Sequence, residues 1–212
     1  MADLGDKKNK LRQSQLKDEH IESVDLRAPP KFPPEVHMMG EIRSGTEFGE
    51  GVSCRWRIDH GKHWGLLEGD SFGQTQTASG PEGLSATWNH PISLHYQTTS
   101  LQGWPKIMVQ IQQMDRYGRI SIIGHGFSHL PFSAGVHKIT VPCWRATGTQ
   151  EEELRAYFLD EHPVLLDEDL VYHKANALRN RLVTASSGNV QIELSVITRN
   201  FSEYGIDFDP VE

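Results

Sequence analysis

Apolar and polar side chains alternate along several segments of this chain, and the alternation predicts a protein built mainly from β-strands. In the segment 107–112, Ile107, Val109 and Ile111 point to one side of the backbone, and the intervening Met108 and Gln110 point to the other. A period of two with one apolar face is typical of a strand that is buried on one face only. Further segments align these apolar residues in the same way: Val36, Met38, Gly40 and Ile42; Val52, Cys54, Trp56 and Ile58; Ile139 and Val141; Val190, Ile192, Leu194 and Val196.

Turn-forming residues separate the alternating segments. Glycine-containing turns are predicted at 49–51, 69–70, 80–81, 118, 133–135 and 186–188. Between Leu101 and Pro142 the pattern indicates a strand, a turn, a second strand, a break at Gly124 and Gly126, a loop and a third strand. Many short strands at such intervals predict an all-β, antiparallel β-sandwich.

One short helix is predicted after these strands. Thr149 and Glu152 form a capping box, in which each side chain satisfies a free backbone amide of the first turn. Leu154, Tyr157 and Phe158 then follow at helical spacing as an apolar stripe, and a proline at 163 ends the segment. We expect the stripe to cover an edge or an open end of the sandwich.

Composition divides the chain of 212 residues into a domain and two tails. Residues 1–35 carry seven Lys/Arg, seven Asp/Glu and a proline cluster, so we expect a disordered tail. The folded domain is expected over 36–206, followed by a short acidic tail over 207–212. The net charge of −7 argues against nucleic acid as the main partner, because phosphate binding relies on basic surfaces.

The expected compartment is the cytosol. No stretch approaches the ~20 apolar residues that span a bilayer, and residues 1–13 lack the apolar core of a signal peptide. Cys54 and Cys143 are too few for a disulfide scaffold and are expected to be buried free thiols.

No motif for enzymatic or metal chemistry is found. His125 and His129 are four residues apart, which in a strand separates them by ~13 Å, too far for one zinc ion. Nucleophile elbows and phosphate-binding glycine loops are absent from the sequence. The sequence therefore predicts a protein that is not an enzyme and has no cofactor.

The strand and turn at 107–115 resemble part of a C2 domain, in which a strand leads into an Asp-x-Asp loop that binds calcium. Here the corresponding residues are Gln113 and Asp115, and the loop between Ile42 and Val52 offers only Glu47 and Glu50. Calcium needs six to eight oxygen ligands, several of them carboxylates, so calcium binding is not expected. A calcium sensor stays open as a third alternative.

A set of short motifs, in a fixed order from about residue 36 to 206, resembles the B9 domain family. The motifs are Gly73-Gln74-Thr75-Gln76, Trp88-Asn89-His90-Pro91-Ile92, Leu101-Gln102-Gly103-Trp104-Pro105, Asp115-Arg116-Tyr117-Gly118-Arg119, Gly124-His125-Gly126-Phe127, His129-Leu130-Pro131, Pro142-Cys143-Trp144-Arg145 and Arg199-Asn200-Phe201-Ser202-Glu203-Tyr204-Gly205. The resemblance implies a C2-like antiparallel β-sandwich. It also implies a scaffold role at the basal body and transition zone of the cilium, with B9 domain-containing protein 1 and the Meckel syndrome type 1 protein as partners. The runner-up is a peripheral lipid-binding module at the ciliary base, in which loop arginines meet anionic headgroups.

Seven residues in these motifs are candidates for partner binding. They are Trp104, Pro105, Asp115, Arg116, Arg119, Phe201 and Tyr204. Structural roles are the alternatives. Trp88, Trp104 and Trp144 are expected to plug the sandwich, and Asp115 with Gly118 is expected to form a turn. Phe201 and Tyr204 either close the end of the barrel or bind a partner.

Overall fold

The computed structural model of the chain describes residues 32–80, 85–159, 163, 165 and 182–206. Most of the predicted N-terminal tail and the whole predicted acidic tail at 207–212 therefore lie outside the described residues. The elements in chain order are β1 (Glu35–Thr46), β2 (Val52–Asp59), β3 (Trp64–Gly69), β4 (Phe72–Gln74), β5 (Ser85–Thr98), β6 (Lys106–Met114), β7 (Ile120–His129), β8 (Gly135–Ala146), α1 (Gln150–Leu159), β9 (Thr184–Arg199) and a 3₁₀ turn (Ser202–Tyr204).

The strands form one antiparallel sheet in the order β3-β5-β1-β9-β8-β7-β6-β2-β4. Neighbouring β7 and β8 share only two residue pairs, His125 with Trp144 and Gly126 with Cys143, and the sheet folds over at this junction. The first layer is β3-β5-β1-β9-β8 and the second is β7-β6-β2-β4. The indole Nε1 of Trp88 on β5 donates a hydrogen bond of 3.1 Å to the Val52 carbonyl on β2, which ties the layers together. The prediction of an all-β antiparallel sandwich is confirmed.

The core lies between the two layers and uses the apolar faces that the sequence predicted. From β1, Val36, Met38 and Ile42 are fully buried, and β2, β6 and β9 contribute their alternating residues to the same cluster. Burying a large aliphatic side chain stabilises a fold by roughly 1.5–3 kcal/mol, so these strands supply most of the packing energy.

Both cysteines are free and buried, as predicted. Burial raises the pKa of the Cys54 thiol well above its ordinary value, with a smaller contribution from Cys143. Burial also raises the pKa of Cys143 to about 12. Both thiols are protonated at neutral pH, so neither is a nucleophile.

The prediction that β6 is buried on one face only is wrong. Met108 and Gln110, on the face opposite Ile107 and Val109, are 2% and 6% exposed. Phe127, Trp144 and Leu165 pack against Met108 on the outer side of the second layer. Trp144 therefore lies outside the sandwich, and the expectation that it plugs the interior is also wrong.

The predicted break at Gly124 and Gly126 does not occur. Strand β7 runs through both glycines, because β6 pairs with it along its whole length. The irregularity appears as a β-bulge instead: Ile111 pairs with Gly124, but the next residue pairs with Ile122. A bulge adds one residue to a strand without ending it.

The predicted helix and its capping box are confirmed. The Thr149 amide donates to the Glu152 carboxylate at 2.7 Å, and the Glu152 amide donates to the Thr149 hydroxyl at 3.4 Å. The apolar stripe of the helix, however, is exposed rather than packed against the sandwich. Among the described residues, no helix combines the length and apolar character that crossing a membrane requires.

The core assignment predicts a large loss of stability for Ile111→Ala. Ile111 is fully buried in the central cluster, so truncation should lower the free energy of unfolding by about 2–5 kcal/mol. Urea denaturation followed by tryptophan fluorescence measures this loss. The matched control is Ile120→Ala at an exposed position, which should change stability by less than about 0.5 kcal/mol. Equal losses in the two variants would contradict the assignment.

Candidate partner-binding surfaces

The seven candidate residues lie at opposite ends of the sandwich and do not form one site. Glu35 at the start of β1 pairs with Arg199 at the end of β9. Lys106 at the start of β6 pairs with His129 at the end of β7. These four strand termini lie at one end of the sandwich. We call this the tryptophan end; it comprises residues 60–64, 99–105, 130–134 and 200–206. The turn between β6 and β7 lies at the opposite end with the loop 47–51 and α1, which together we call the helix end. Trp104, Pro105, Phe201 and Tyr204 belong to the tryptophan end; Asp115, Arg116 and Arg119 belong to the helix end.

Trp104 is held in a cluster of aromatic rings at the tryptophan end. Its ring lies edge-on to the ring of Trp64, with ring centroids 4.8 Å apart. The ring of Trp64 lies edge-on to that of Tyr96, with ring centroids 6.2 Å apart. The indole Nε1 of Trp104 donates to the Leu130 carbonyl at 2.9 Å. Burial raises the pKa of Tyr96 to about 12, so its hydroxyl stays neutral within the core. Trp104 is thus half-buried, with one part of its ring in the core and another at the surface.

Two glycines bring the loops of the tryptophan end into direct backbone contact. The Gly61 amide donates to the Gly103 carbonyl at 2.8 Å, and Gly103 has a φ of +78°. A Cβ atom at Gly103 would lie 2.5 Å from the Gly61 Cα, closer than any side chain tolerates. Residues 61 and 103 must therefore both be glycine. The contact between them fixes the loop that carries Trp104.

A cleft of about 580 Å³ opens between these loops. An ion pair of 3.1 Å between Lys106 Nζ and the Asp59 carboxylate lies in its wall, next to the apolar side chains of Leu101 and Trp104. The full lining is Asp59, His60, Gly61, Leu101, Gly103, Trp104, Lys106 and His129. Apolar surface beside a few polar groups suits the binding of a protruding side chain from a partner.

Two of the candidates at this end are buried and cannot present their side chains to a partner. Pro105 is buried, and its carbonyl accepts a hydrogen bond from the Leu130 amide. Phe201 is 4% exposed and belongs to the central cluster. Tyr204 is 43% exposed at the end of the 3₁₀ turn and is accessible. Pro105 and Phe201 therefore support this surface, while Trp104 and Tyr204 form part of it.

Asp115 organises the turn at the helix end, as the structural alternative predicted. One of its carboxylate oxygens accepts the amides of Tyr117 and Arg119, both at 2.8 Å, and the other accepts Arg119 Nε at 2.7 Å. Gly118 completes the turn with a φ of +81°. Desolvation opposes ionisation of Asp115, but these hydrogen bonds and the charge of Arg119 outweigh it and lower the pKa of the carboxyl below its ordinary value. Arg116 is exposed.

The residues where a C2 domain would hold calcium are joined by hydrogen bonds instead. The Gln113 side-chain amide donates to the Glu50 carbonyl at 3.0 Å, a bond that an aspartate in its place would be unable to make. The Met114 amide donates to the Gly51 carbonyl at 2.8 Å. Within the described part of the chain, the carboxylates of the helix end do not converge into a group that would hold a cation.

The helix presents its apolar stripe to solvent because an ion pair fixes its rotation. The guanidinium of Arg145 on β8 makes two bonds to the Glu153 carboxylate, at 3.1 and 3.0 Å. Ala156, one turn later, is the buried residue of the helix. Since successive residues turn by about 100°, Leu154 and Phe158 lie on the side opposite Ala156.

The exposed stripe is a candidate surface that the sequence prediction assigned to packing. Leu154, Tyr157 and Phe158 are 58%, 83% and 75% exposed. The two aromatic rings contact each other edge to face at 5.1 Å. Two exposed aromatic residues and a leucine on one helix face are typical of a protein-binding surface. The spacing predicted the stripe, but its direction follows only from the Arg145–Glu153 ion pair and the burial of Ala156.

The close contact between Gly61 and Gly103 predicts that Gly103→Ala destabilises the protein. The new Cβ meets backbone atoms, and the left-handed φ adds a cost of about 1–3 kcal/mol. Thermal unfolding measures the loss. Gly65→Ala is the matched control, because its Cβ would come no closer than 4.0 Å to the nearest atom, the Gln97 carbonyl oxygen, and its φ is ordinary. A Gly103→Ala variant as stable as Gly65→Ala would contradict this account.

The Asp115 turn predicts a pH-dependent contribution to stability. Because the pKa of Asp115 is lower in the folded chain than in the unfolded chain, the contribution is fully present above the ordinary value of 3.8 and is lost as the pH falls below it. The difference in Tm between the wild type and Asp115→Asn should therefore be largest at neutral pH and shrink in acid. Thermal unfolding from neutral pH to below 3.8 tests this, with Asp70→Asn at an exposed turn as the control. A difference that stays constant with pH would rule out the ionic contribution.

Comparison with known proteins identifies the family. Residues 36–197 match the family described as "Ciliary basal body-associated, B9 protein". The chain is 41% identical over 174 residues to B9 domain-containing protein 2 of Bos taurus, covering 82% of this chain and 98% of that relative. It is 26% identical over 175 residues to B9 domain-containing protein 1 of Xenopus laevis, covering 80% of this chain and 87% of that relative.

A solved structure, the C2A domain of plant extended synaptotagmin 1, aligns with a TM-score of 0.39 at 10% identity, covering 80% of this chain and 99% of that domain. The family match spans most of the sandwich, from Val36 in β1 to Ile197 near the end of β9. The chain belongs to the B9 domain family.

Proposed function

We propose that this chain is a non-enzymatic scaffold subunit of a complex in the transition zone at the ciliary base. In that complex it binds B9 domain-containing protein 1 and the Meckel syndrome type 1 protein, and supports ciliogenesis and the gating of ciliary membrane proteins. The family description, which names the ciliary basal body, and the relationship to B9 domain-containing protein 1 support this proposal.

The observation that carries the proposal is the outward-facing apolar side of α1. Tyr157 and Phe158 expose most of their rings, although a soluble protein gains no stability from exposing them. Covering such side chains on binding removes apolar surface from water, and buried aromatic residues dominate the energy of many interfaces. Glu151, in the acidic first turn of the helix, lies on the same side as the stripe, so a partner with a basic group beside an apolar groove fits this face.

A subunit that binds two partners at once needs two surfaces that do not overlap. The antiparallel strands place the helix end and the tryptophan end on opposite sides of the domain. At the tryptophan end, Leu101 and Tyr204 are 41% and 43% exposed, and Trp104 lines the cleft beside them. We assign one B9-domain partner to each end. Arg116 and Arg119 lie in the turn between β6 and β7 at the helix end. We assign them to contacts with acidic groups of the partner bound at that end.

Co-expression of the three proteins with variants at each end tests this arrangement. The helix-end variant is Tyr157→Ser with Phe158→Ser, and the tryptophan-end variant is Leu101→Ser with Tyr204→Ser. All four side chains are exposed, so the variants should fold with nearly unchanged Tm. Each variant should lose one partner, with a loss of affinity of roughly thirtyfold or more for two large interface side chains, and keep the other. Mass measurement of the purified complexes shows which partner is lost.

The two variants act as controls for each other. Loss of both partners in each variant would indicate one shared surface and contradict the two-ended arrangement. Retention of both partners in both variants would contradict the choice of surfaces. A wild-type chain that stays monomeric with both partners present would overturn the scaffold function itself, and sedimentation with anionic vesicles under those conditions would favour lipid binding instead.

A further inference from the structure

Three metal-ligating side chains meet on the outer face of the first layer, near the tryptophan end. Glu35 and His37 lie two residues apart on β1, and His95 lies directly opposite His37 on β5. One ligand atom from each of the three side chains lies within 4.8 Å of those of the other two. The Nε2 atom of His95 is 3.4 Å from the Glu35 carboxylate. Within the described residues, this is the one group of three such side chains that comes so close together.

The position of the cluster follows from the register of the strands. Residues at i and i+2 share one face of a strand, and the residue opposite on an antiparallel neighbour shares that face as well. Val36 and Met38 fill the core from the other face of β1, so they hold the strand in register and direct Glu35 and His37 outward. The three ligands therefore stand on a rigid sheet rather than on mobile loops.

We propose that Glu35, His37 and His95 bind one divalent transition-metal ion, with the chemistry of Zn²⁺. Two imidazole nitrogens and a carboxylate oxygen are a ligand set that zinc takes in tetrahedral sites, with bonds of about 2.0–2.2 Å. Calcium and magnesium ions prefer oxygen ligands, so two imidazole nitrogens do not suit them. The nitrogen ligands and the half-buried setting distinguish this cluster from an ordinary group of surface carboxylates.

Binding requires a side-chain rearrangement that the surroundings permit. The rings of His37 and His95 are stacked, with centroids 3.7 Å apart and an angle of 19° between their planes. Imidazole lone pairs lie in the ring plane, so the rings must tilt apart before both nitrogens point at one ion. The guanidinium of Arg199 lies 3.9 Å from the Glu35 carboxylate and its side chain is 69% exposed, so it has room to swing away when a cation binds.

A fourth ligand is available from the next strand. Glu68 on β3 pairs with His95 on the side away from His37, which places it in the same row across the sheet. Glu68 is exposed and its side chain is long enough to approach an ion directly or through a water molecule. Such an ion would link β1, β5 and the edge strand β3, so its binding should stabilise the first layer.

Titration of the full-length, untagged, metal-free chain with ZnCl₂ by calorimetry tests the proposal. We expect one saturable ion per chain with micromolar or tighter affinity, and a higher Tm in the presence of zinc. Titration with Co²⁺ gives a second readout, since a tetrahedral nitrogen–oxygen site produces a strong visible absorption band. His37→Gln and His95→Gln should each weaken zinc binding by roughly tenfold or more, because each removes one of three protein ligands.

His129→Gln is the matched control, because His129 is an exposed histidine outside the cluster, and it should bind zinc as tightly as the wild type. Should either cluster variant fold poorly without metal, Glu35→Gln provides the same test at a half-buried residue. Absence of saturable zinc binding in the wild type would overturn the proposal. Binding that is unchanged in His37→Gln and His95→Gln would overturn it as well, since the ion would then be held elsewhere.

Discussion

The double pairing of β1 is the constraint on which the rest of the structure depends. This strand pairs along its whole length with β5 on one side and with β9 on the other. Its register directs Val36, Met38 and Ile42 into the core and Glu35 and His37 to the outer face. A shift of one residue would exchange these two sets, so burial of the apolar set fixes the position of every outward-facing group on the first layer.

The sequence predicted those elements whose pattern is local. Alternation identified β1, β2, β6, β8 and β9, and the capping box located the start of α1. Strand β5 was not identified although its buried residues alternate, because Asn89 and Pro91 in its middle are residue types that are rare inside strands. The pattern of β6 was recognised, but its burial on both faces was not, because Met108 is covered by Trp144 and Leu165, which are distant in sequence.

The candidate surfaces were harder to predict than the fold. Asp115 was correctly recognised as a turn residue, since its partners are two and four residues away. The direction of the helix stripe depends on the ion pair of Glu153 with Arg145, which no helical periodicity reveals. The pairing of His37 with His95 joins residues far apart in the chain, and an inspection of spacing finds only neighbours such as His125 and His129. In each case the missing information is a contact between strands or between a strand and the helix.

The edge strands β3 and β4 are poorly suited to pairing with a strand of a partner. Strand β4 has only three residues, and β3 has a β-bulge between Leu66 and Glu68. Short, bulged edge strands are features by which proteins prevent the pairing of edges between chains. A strand from another protein would find few regular backbone groups to pair with along β3 or β4. Contacts at these edges in a complex would then rely on side chains rather than on strand addition. The large exposed aromatic side chains of the helix lie at one end of the sandwich, beyond the end of β8. In the proposed complex, recognition by side chains would also permit each end to discriminate between related B9 domains, because partners that share one backbone fold differ in the groups that they present.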